Sequence, residues 1–87
     1  MPTLSIETTV QDGQLQIQLD GKKILSNTGN VNRNLVGGTK YFINWFVQGK
    51  PGTKYSIKIT SPDSARLNRS RTLNNTGKDG STFDFKA

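Results

Sequence analysis

Lys40 to Thr60 reads KYFINWFVQGKPGTKYSIKIT, and this stretch holds five of the seven aromatic rings and four of the twelve cationic side chains of the 87-residue chain. Phe42 and Phe46 stand four residues apart, as do Lys54 and Lys58. Rings on one strand face can stack on flat ligand surfaces, and neighbouring ammonium groups can hold an anion. Downstream, Arg66, Arg69 and Arg71 crowd together, and arginine's planar fork suits phosphate or carboxylate better than lysine's point charge does. Phe42, Phe46, Lys54, Lys58, Arg69 and Arg71 are the candidate ligand-binding residues. A solvated, charge-protected edge strand is the plainer account of the arginines.

Catalytic chemistry has little to work with. The chain contains no cysteine and no histidine, which removes thiolate nucleophiles, thiolate zinc sites, disulfides, the commonest general base and every Ser-His or Cys-His arrangement. Asp12, Asp20, Asp79 and Asp84 lack calcium-loop spacing, and three of them precede glycine, which favours turns. The six acids are too dispersed to nominate a general acid and base. Neither GxxxxGK[ST] nor GxGxxG occurs. Gly49-Lys50-Pro51-Gly52 has the letters of the clamp in KH domains, but that clamp joins helices and these flanks read as strands. Asn68-Arg69-Ser70 and Asn74-Asn75-Thr76 satisfy the glycosylation pattern, which chance supplies easily in a chain so rich in Asn, Ser and Thr. The expectation is a non-enzymatic protein without cofactor or metal.

Charge is asymmetric. Residues 1–21 contain Glu7, Asp12 and Asp20 and no cation, so that segment is −3, while the remainder carries twelve cations against three acids, or +9. A sequence pI near 10.0 favours polyanionic partners by steering, or simply keeps a small protein soluble. The N-terminus has no basic start followed by an apolar run, so no signal peptide is expected, and nothing approaches a membrane span. That reading makes the chain cytoplasmic or an excised domain of a larger protein.

The elements that must position these residues have a period of two. Leu4, Ile6, Thr8 and Val10 share one face, as do Leu15, Ile17 and Leu19, whose polar neighbours are three glutamines. Asp12-Gly13 between these runs reads as a type I′ hairpin turn. Asp20-Gly21 turns the chain again, short strands are expected over 22–25 and 31–36, and Gly37-Gly38 breaks the run. Tyr41, Ile43, Trp45 and Val47 then share a face opposite to Phe42, Asn44, Phe46 and Gln48, and Tyr55, Ile57 and Ile59 point opposite to Lys54, Ser56, Lys58 and Thr60. Ser61-Pro62-Asp63 resembles a helix start with serine as cap and proline at the first helical position. Arg69 and Arg71 share a strand face over 68–73. Asp79-Gly80 reads as a third turn, and 81–86 closes the chain with Phe83 and Phe85 inward. No internal repeat or linker is visible.

Joining the strands at 40–48 and 53–60 into a hairpin sets Phe46 opposite Ser56 and Asn44 opposite Lys58. One outer face then combines Phe42 and Phe46 with Lys54 and Lys58. Tyr41, Trp45 and Tyr55 become core, whereas the two phenylalanines are either covered by another strand, loop or subunit or form a small patch.

The segment PGTKYSIKIT resembles the entry to the sixth strand of fibronectin type III and related immunoglobulin-like domains. It covers about ten residues, and Gly49 stands where that family usually has leucine. The resemblance implies a β-sandwich, and it implies that Tyr55 forms a corner by bonding backbone upstream; such folds host many unrelated functions. Residues 1–87 are thus expected to form a single all-β domain, a sandwich of about seven short strands, immunoglobulin-like or fibronectin-like.

The function this supports is a non-catalytic binding or protein-interaction module for an acidic protein surface, a glycan or another polyanion. One alternative is a small barrel binding single-stranded nucleic acid, with rings on bases and cations on phosphates. Another is a structural subunit or inhibitor with an apolar face buried in an oligomer.

Overall fold

The computed structural model describes residues 2–87. Alternation of apolar and polar side chains produces eight strands: β1 (Thr3–Val10), β2 (Gln14–Leu19), β3 (Lys22–Ser26), β4 (Gly29–Asn34), β5 (Lys40–Gln48), β6 (Lys54–Ser61), β7 (Leu67–Thr72) and β8 (Lys78–Lys86). They form two four-stranded antiparallel sheets, ordered β4-β1-β6-β7 and β3-β2-β5-β8. The chain is therefore an all-β sandwich, with one strand more than the sequence suggests. No helix among the described residues is long and apolar enough to cross a membrane.

The core lies between the sheets. Leu4 and Ile6 from β1 and Tyr55, Ile57 and Ile59 from β6 are buried, as are Leu15 and Ile17 from β2 and Ile43, Trp45 and Val47 from β5. Each fully buried aliphatic side chain contributes roughly 1.5–3 kcal/mol of transfer free energy. Phe85 of β8 joins them, and the partly buried Phe83 packs edge-on to Trp45. Leu35, Ala65 and Leu73 plug the connections. Thr8, the one core-facing polar residue of β1, is satisfied by donating to the Asn27 carbonyl at 2.6 Å.

The three Asp-Gly pairs meet three fates. Asp20 and Gly21 both have positive φ, 50° and 82°, as a type I′ turn requires, and they join β2 to β3 within one sheet. Asp12 keeps a negative φ, with only Gly13 positive, and this turn carries the chain from β1 in one sheet to β2 in the other, so the opening hairpin does not form. Asp79-Gly80 makes no turn at all. Both lie inside β8, opposite Val47 and Phe46, because the long β5 offers pairing partners along its whole length; a Cβ on Gly80 would sit 2.8 Å from the Trp45 carbonyl oxygen. The turn before β8 is closed instead by Gly77 N–H donating to the Asn74 carbonyl.

After Pro62 the chain forms a single 3-10 turn, Asp63–Ala65. Pro62 occupies the cap position with extended backbone and no side chain caps the turn, so Ser61 stays in β6 as a strand residue.

The two halves of the chain repeat one plan. In the first half β1 pairs β4 in one sheet and β2 pairs β3 in the other; in the second half β5 pairs β8 and β6 pairs β7, with the sheets exchanged. The central pairings β1-β6 and β2-β5 complete this pseudo-twofold. The relation is one of topology, carried by strand pairing and core-facing positions rather than by sequence identity.

Candidate binding face

β5 runs through the middle of its sheet and alternates cleanly. Ile43, Trp45 and Val47 enter the core, which turns Lys40, Phe42, Asn44, Phe46 and Gln48 to the outer face. Phe42 is 52% exposed and Phe46 49%; on an extended strand they are separated by roughly 13 Å. β2 sets Gln18 opposite Asn44, Gln16 opposite Phe46 and Gln14 opposite Gln48. β8 sets Asp84 opposite Phe42, Thr82 opposite Asn44 and Gly80 opposite Phe46. The rings thus rise from a bed of amides and one hydroxyl, and glycine beside Phe46 leaves that ring's flank uncovered.

The polar groups are partly ordered. Thr82 donates its hydroxyl to Asn44 Oδ1, which leaves the Asn44 amide N–H groups toward solvent. Lys40 Nζ lies 2.8 Å from Asp84 Oδ2 and 5.8 Å from the centre of the Phe42 ring. The hydrogen bond and charge of Lys40 hold the Asp84 carboxyl below its ordinary range. Both groups are largely exposed, so the pair contributes little stability and serves mainly to neutralise charge beside Phe42. A hollow of about 330 Å³ is lined by Gln16, Gln18, Asn44, Trp45 and Phe46.

Lys54 and Lys58 are not part of this face. They project from β6 in the other sheet, where Lys54 stands opposite Thr72 and Lys58 between Asn68 and Glu7. The hairpin of β5 with β6 does not form, because β2 and β8 occupy both edges of β5 while β1 and β7 occupy both edges of β6. Facing the two strands across the core buries Trp45 and Val47 together with Tyr55 and Ile57. A larger hollow, about 480 Å³, lies on this second sheet and brings Lys54 together with Arg71, beside Thr9, Ser56, Ser70 and Thr72. It offers no exposed ring, and two of its hydroxyls, Thr9 and Ser56, bond one another.

Arg69 and Arg71 do share a strand face, the one turned between the sheets. They stand opposite the buried Ile57 and Tyr55 at the open side of the sandwich. The Arg69 guanidinium carbon lies 5.0 Å from the centre of the Trp45 ring. Nearby, the Tyr55 hydroxyl donates to Asp79 Oδ2, and the Gly80 N–H donates to Asp79 Oδ1 at 2.8 Å. Tyr55 therefore bonds a downstream carboxylate, in place of the upstream backbone bond that a tyrosine corner implies. The Trp45 indole N–H is buried without a partner of good hydrogen-bond geometry; its proximity to the Tyr55 oxygen acts weakly against the upward shift of that phenol.

The candidate residues thus divide, the rings on one outer face, the lysines on the other and the arginines on an edge, and of the cations Lys54 and Arg71 meet at one hollow. Gln14, Gln16, Gln18, Asn44 and Thr82 complete the ring face. Their signal in the sequence was the polar half of the alternation in β2 and β5, which became informative only once those strands proved to be neighbours. Among the described residues no three acids gather as a metal would need. Comparison with protein-family models, with curated proteins and with solved structures finds no match to this chain.

Proposed function

We propose that the protein is a non-catalytic binding module that recognises an extended, largely uncharged glycan on the outer face of the β3-β2-β5-β8 sheet. The observation behind this reading is the pairing of two half-exposed rings with amides: Phe42 and Phe46 flank Asn44, with Gln16 and Gln18 alongside on β2. Sugar rings present C–H faces that pack on aromatic rings and rims of hydroxyls that both donate and accept. Amide side chains, which also do both, match such rims better than ammonium groups do. The ring separation calls for a chain of sugars rather than a single one.

Of the ligands that the composition allows, a polyanion fits the centre of this face less well, because Lys40 beside Phe42 is engaged by Asp84 and the other cations of the face, Lys23, Lys78 and Lys86, stand on the flanking strands β3 and β8. The likeness to immunoglobulin-like and fibronectin-like domains belongs to this proposal at the level of architecture. Those domains set their first two strands in one sheet, whereas β1 and β2 lie in different sheets here.

Calorimetric titration with soluble neutral polysaccharides (cellulose-type, xylan-type and β-1,3-glucan-type), with labelled single-stranded DNA as comparator, tests the proposal. Binding to at least one polysaccharide that tolerates salt and is lost in Phe42→Ala and Phe46→Ala supports it. Failure of every polysaccharide, or binding only to DNA with steep salt dependence, overturns it.

A further inference from the structure

The pseudo-twofold brings out a departure on the β7 side. Register places Leu25 of β3 opposite Ile17 and Leu67 and Arg69 of β7 opposite Ile59 and Ile57, so all three lie on the inward-turned side of an edge strand. Leu25 and Leu67 are apolar side chains packed against the core. Arg69 is a charged one, with Arg71 two residues on. The inward side of an edge strand accepts leucine in this fold, and a charged residue that breaks the apolar pattern there is a candidate for function.

β7 is also an edge. Only β6 bonds it, so half of its backbone donors and acceptors face outward. The four sheet edges differ in charge. β8 mixes Lys78 and Lys86 with Asp79 and Asp84, β4 carries Arg33 alone, and β3 carries Lys22 and Lys23 at adjacent positions, hence on opposite faces, and is bulged opposite Ile17 and Gln18. β7, by contrast, is unbulged against β6 and carries two cations on one face and no acid. Lys40 with Asp84 is the only ion pair among the described residues; Asp79, bonded to Tyr55 and to Gly80, lies near enough to feel both arginines, so its single charge offsets only part of theirs. Arg69 is steadied by its position over the Trp45 ring, which reduces the side-chain freedom lost on binding.

We infer that β7 is a docking edge for an acidic extended peptide, which adds as a further strand and sets carboxylates at alternate positions opposite Arg69 and Arg71. Main-chain bonds supply the affinity of such strand addition and the side chains opposite supply its specificity. Directly opposed unlike charges are favourable across strands and like charges are not. The same two arginines therefore discourage a second copy of β7 from pairing here while favouring an acidic strand. The inference concerns a different surface from the glycan proposal and stands or falls separately.

The experiment is fluorescence anisotropy of a short labelled peptide alternating glutamate with threonine, titrated with the intact protein. Three competitors accompany it: the glutamine analogue, a peptide of equal charge interrupted by prolines, and inorganic polyphosphate. Binding of the alternating peptide, weakened at least about tenfold by proline interruption and again by the double change R69Q and R71Q, is expected, as loss of charge-assisted hydrogen bonds implies. Arg71→Gln alone, at an exposed side chain, carries the test if the double variant unfolds. Equal affinity for the proline-interrupted peptide or for polyphosphate would reduce the edge to a non-specific cationic patch and overturn the inference. So would indifference to the arginine substitutions, or no binding.

Discussion

The hydroxyl of Tyr55 on β6 donates a hydrogen bond to the carboxylate of Asp79 on β8, and since these strands belong to different sheets the bond ties the sandwich together along its open side. Burial and then this bond push the Tyr55 phenol up from 10.0 to about 12. The same bond is the largest cause holding Asp79 below its ordinary value of 3.8.

A phenol whose pKa is raised in the folded state adds stability that is fully present below pH 10 and is lost as pH climbs through about 12. The shift corresponds to roughly 2–3 kcal/mol. Tyr55→Phe is expected to lose about 1–2 kcal/mol at neutral pH by leaving Asp79 half-bonded. Denaturant titrations of both proteins from neutral pH to pH 12 check this, and the gap between them should close at the alkaline end. At the acid end Asp79, whose pKa is depressed, contributes stability above pH 3.8 that disappears as pH falls further. A gap that stays constant across the alkaline range would show that the bond does not couple the sheets.

Phe42→Ser and Phe46→Ser should each cost about 1 kcal/mol or less, because each ring is already half in water and only part of its transfer free energy is at stake. Thermal melts measure that cost. A loss of several kcal/mol would mark the rings as core and remove the proposed glycan face.

Gly77 and Gly21 both have positive φ, 69° and 82°, but their surroundings differ. A Cβ at Gly77 would fall on the Gly49 carbonyl oxygen, while one at Gly21 meets nothing. Gly21→Ala is expected to cost about 1–2 kcal/mol, the penalty of left-handed backbone alone. Gly77→Ala should cost about 3 kcal/mol or more, since two loops must part as well. Urea midpoints of the two variants give the comparison.

Arg69→Leu gives the inward side of β7 the residue type that Leu25 supplies on β3. We expect stability unchanged or raised by up to about 1 kcal/mol, because leucine packs on Trp45 without a charge to desolvate, together with loss of acidic-peptide binding. Marked destabilisation would mean that the arginine is held for the fold.

Which side chains turn inward is legible along the chain: Ile6, Ile17, Ile43 and Ile57 declare themselves by alternation, because the two-residue period is a property of each strand alone. The same period sets Phe42 and Phe46 on the face opposite to Trp45. Which strands share a sheet is settled by packing between distant segments. The dipeptide Asp-Gly fits a hairpin at residues 20–21, a crossing between sheets at 12–13 and the interior of a strand at 79–80. Turn chemistry permits a local change of direction, whereas partnership follows from burying two apolar faces against each other. The same choice separated Lys54 and Lys58 from the phenylalanines and brought Gln16 and Gln18 beside them. Strands distant in sequence became neighbours because the inward faces of the two sheets, Trp45 of β5 and Tyr55 of β6 among them, are buried against each other.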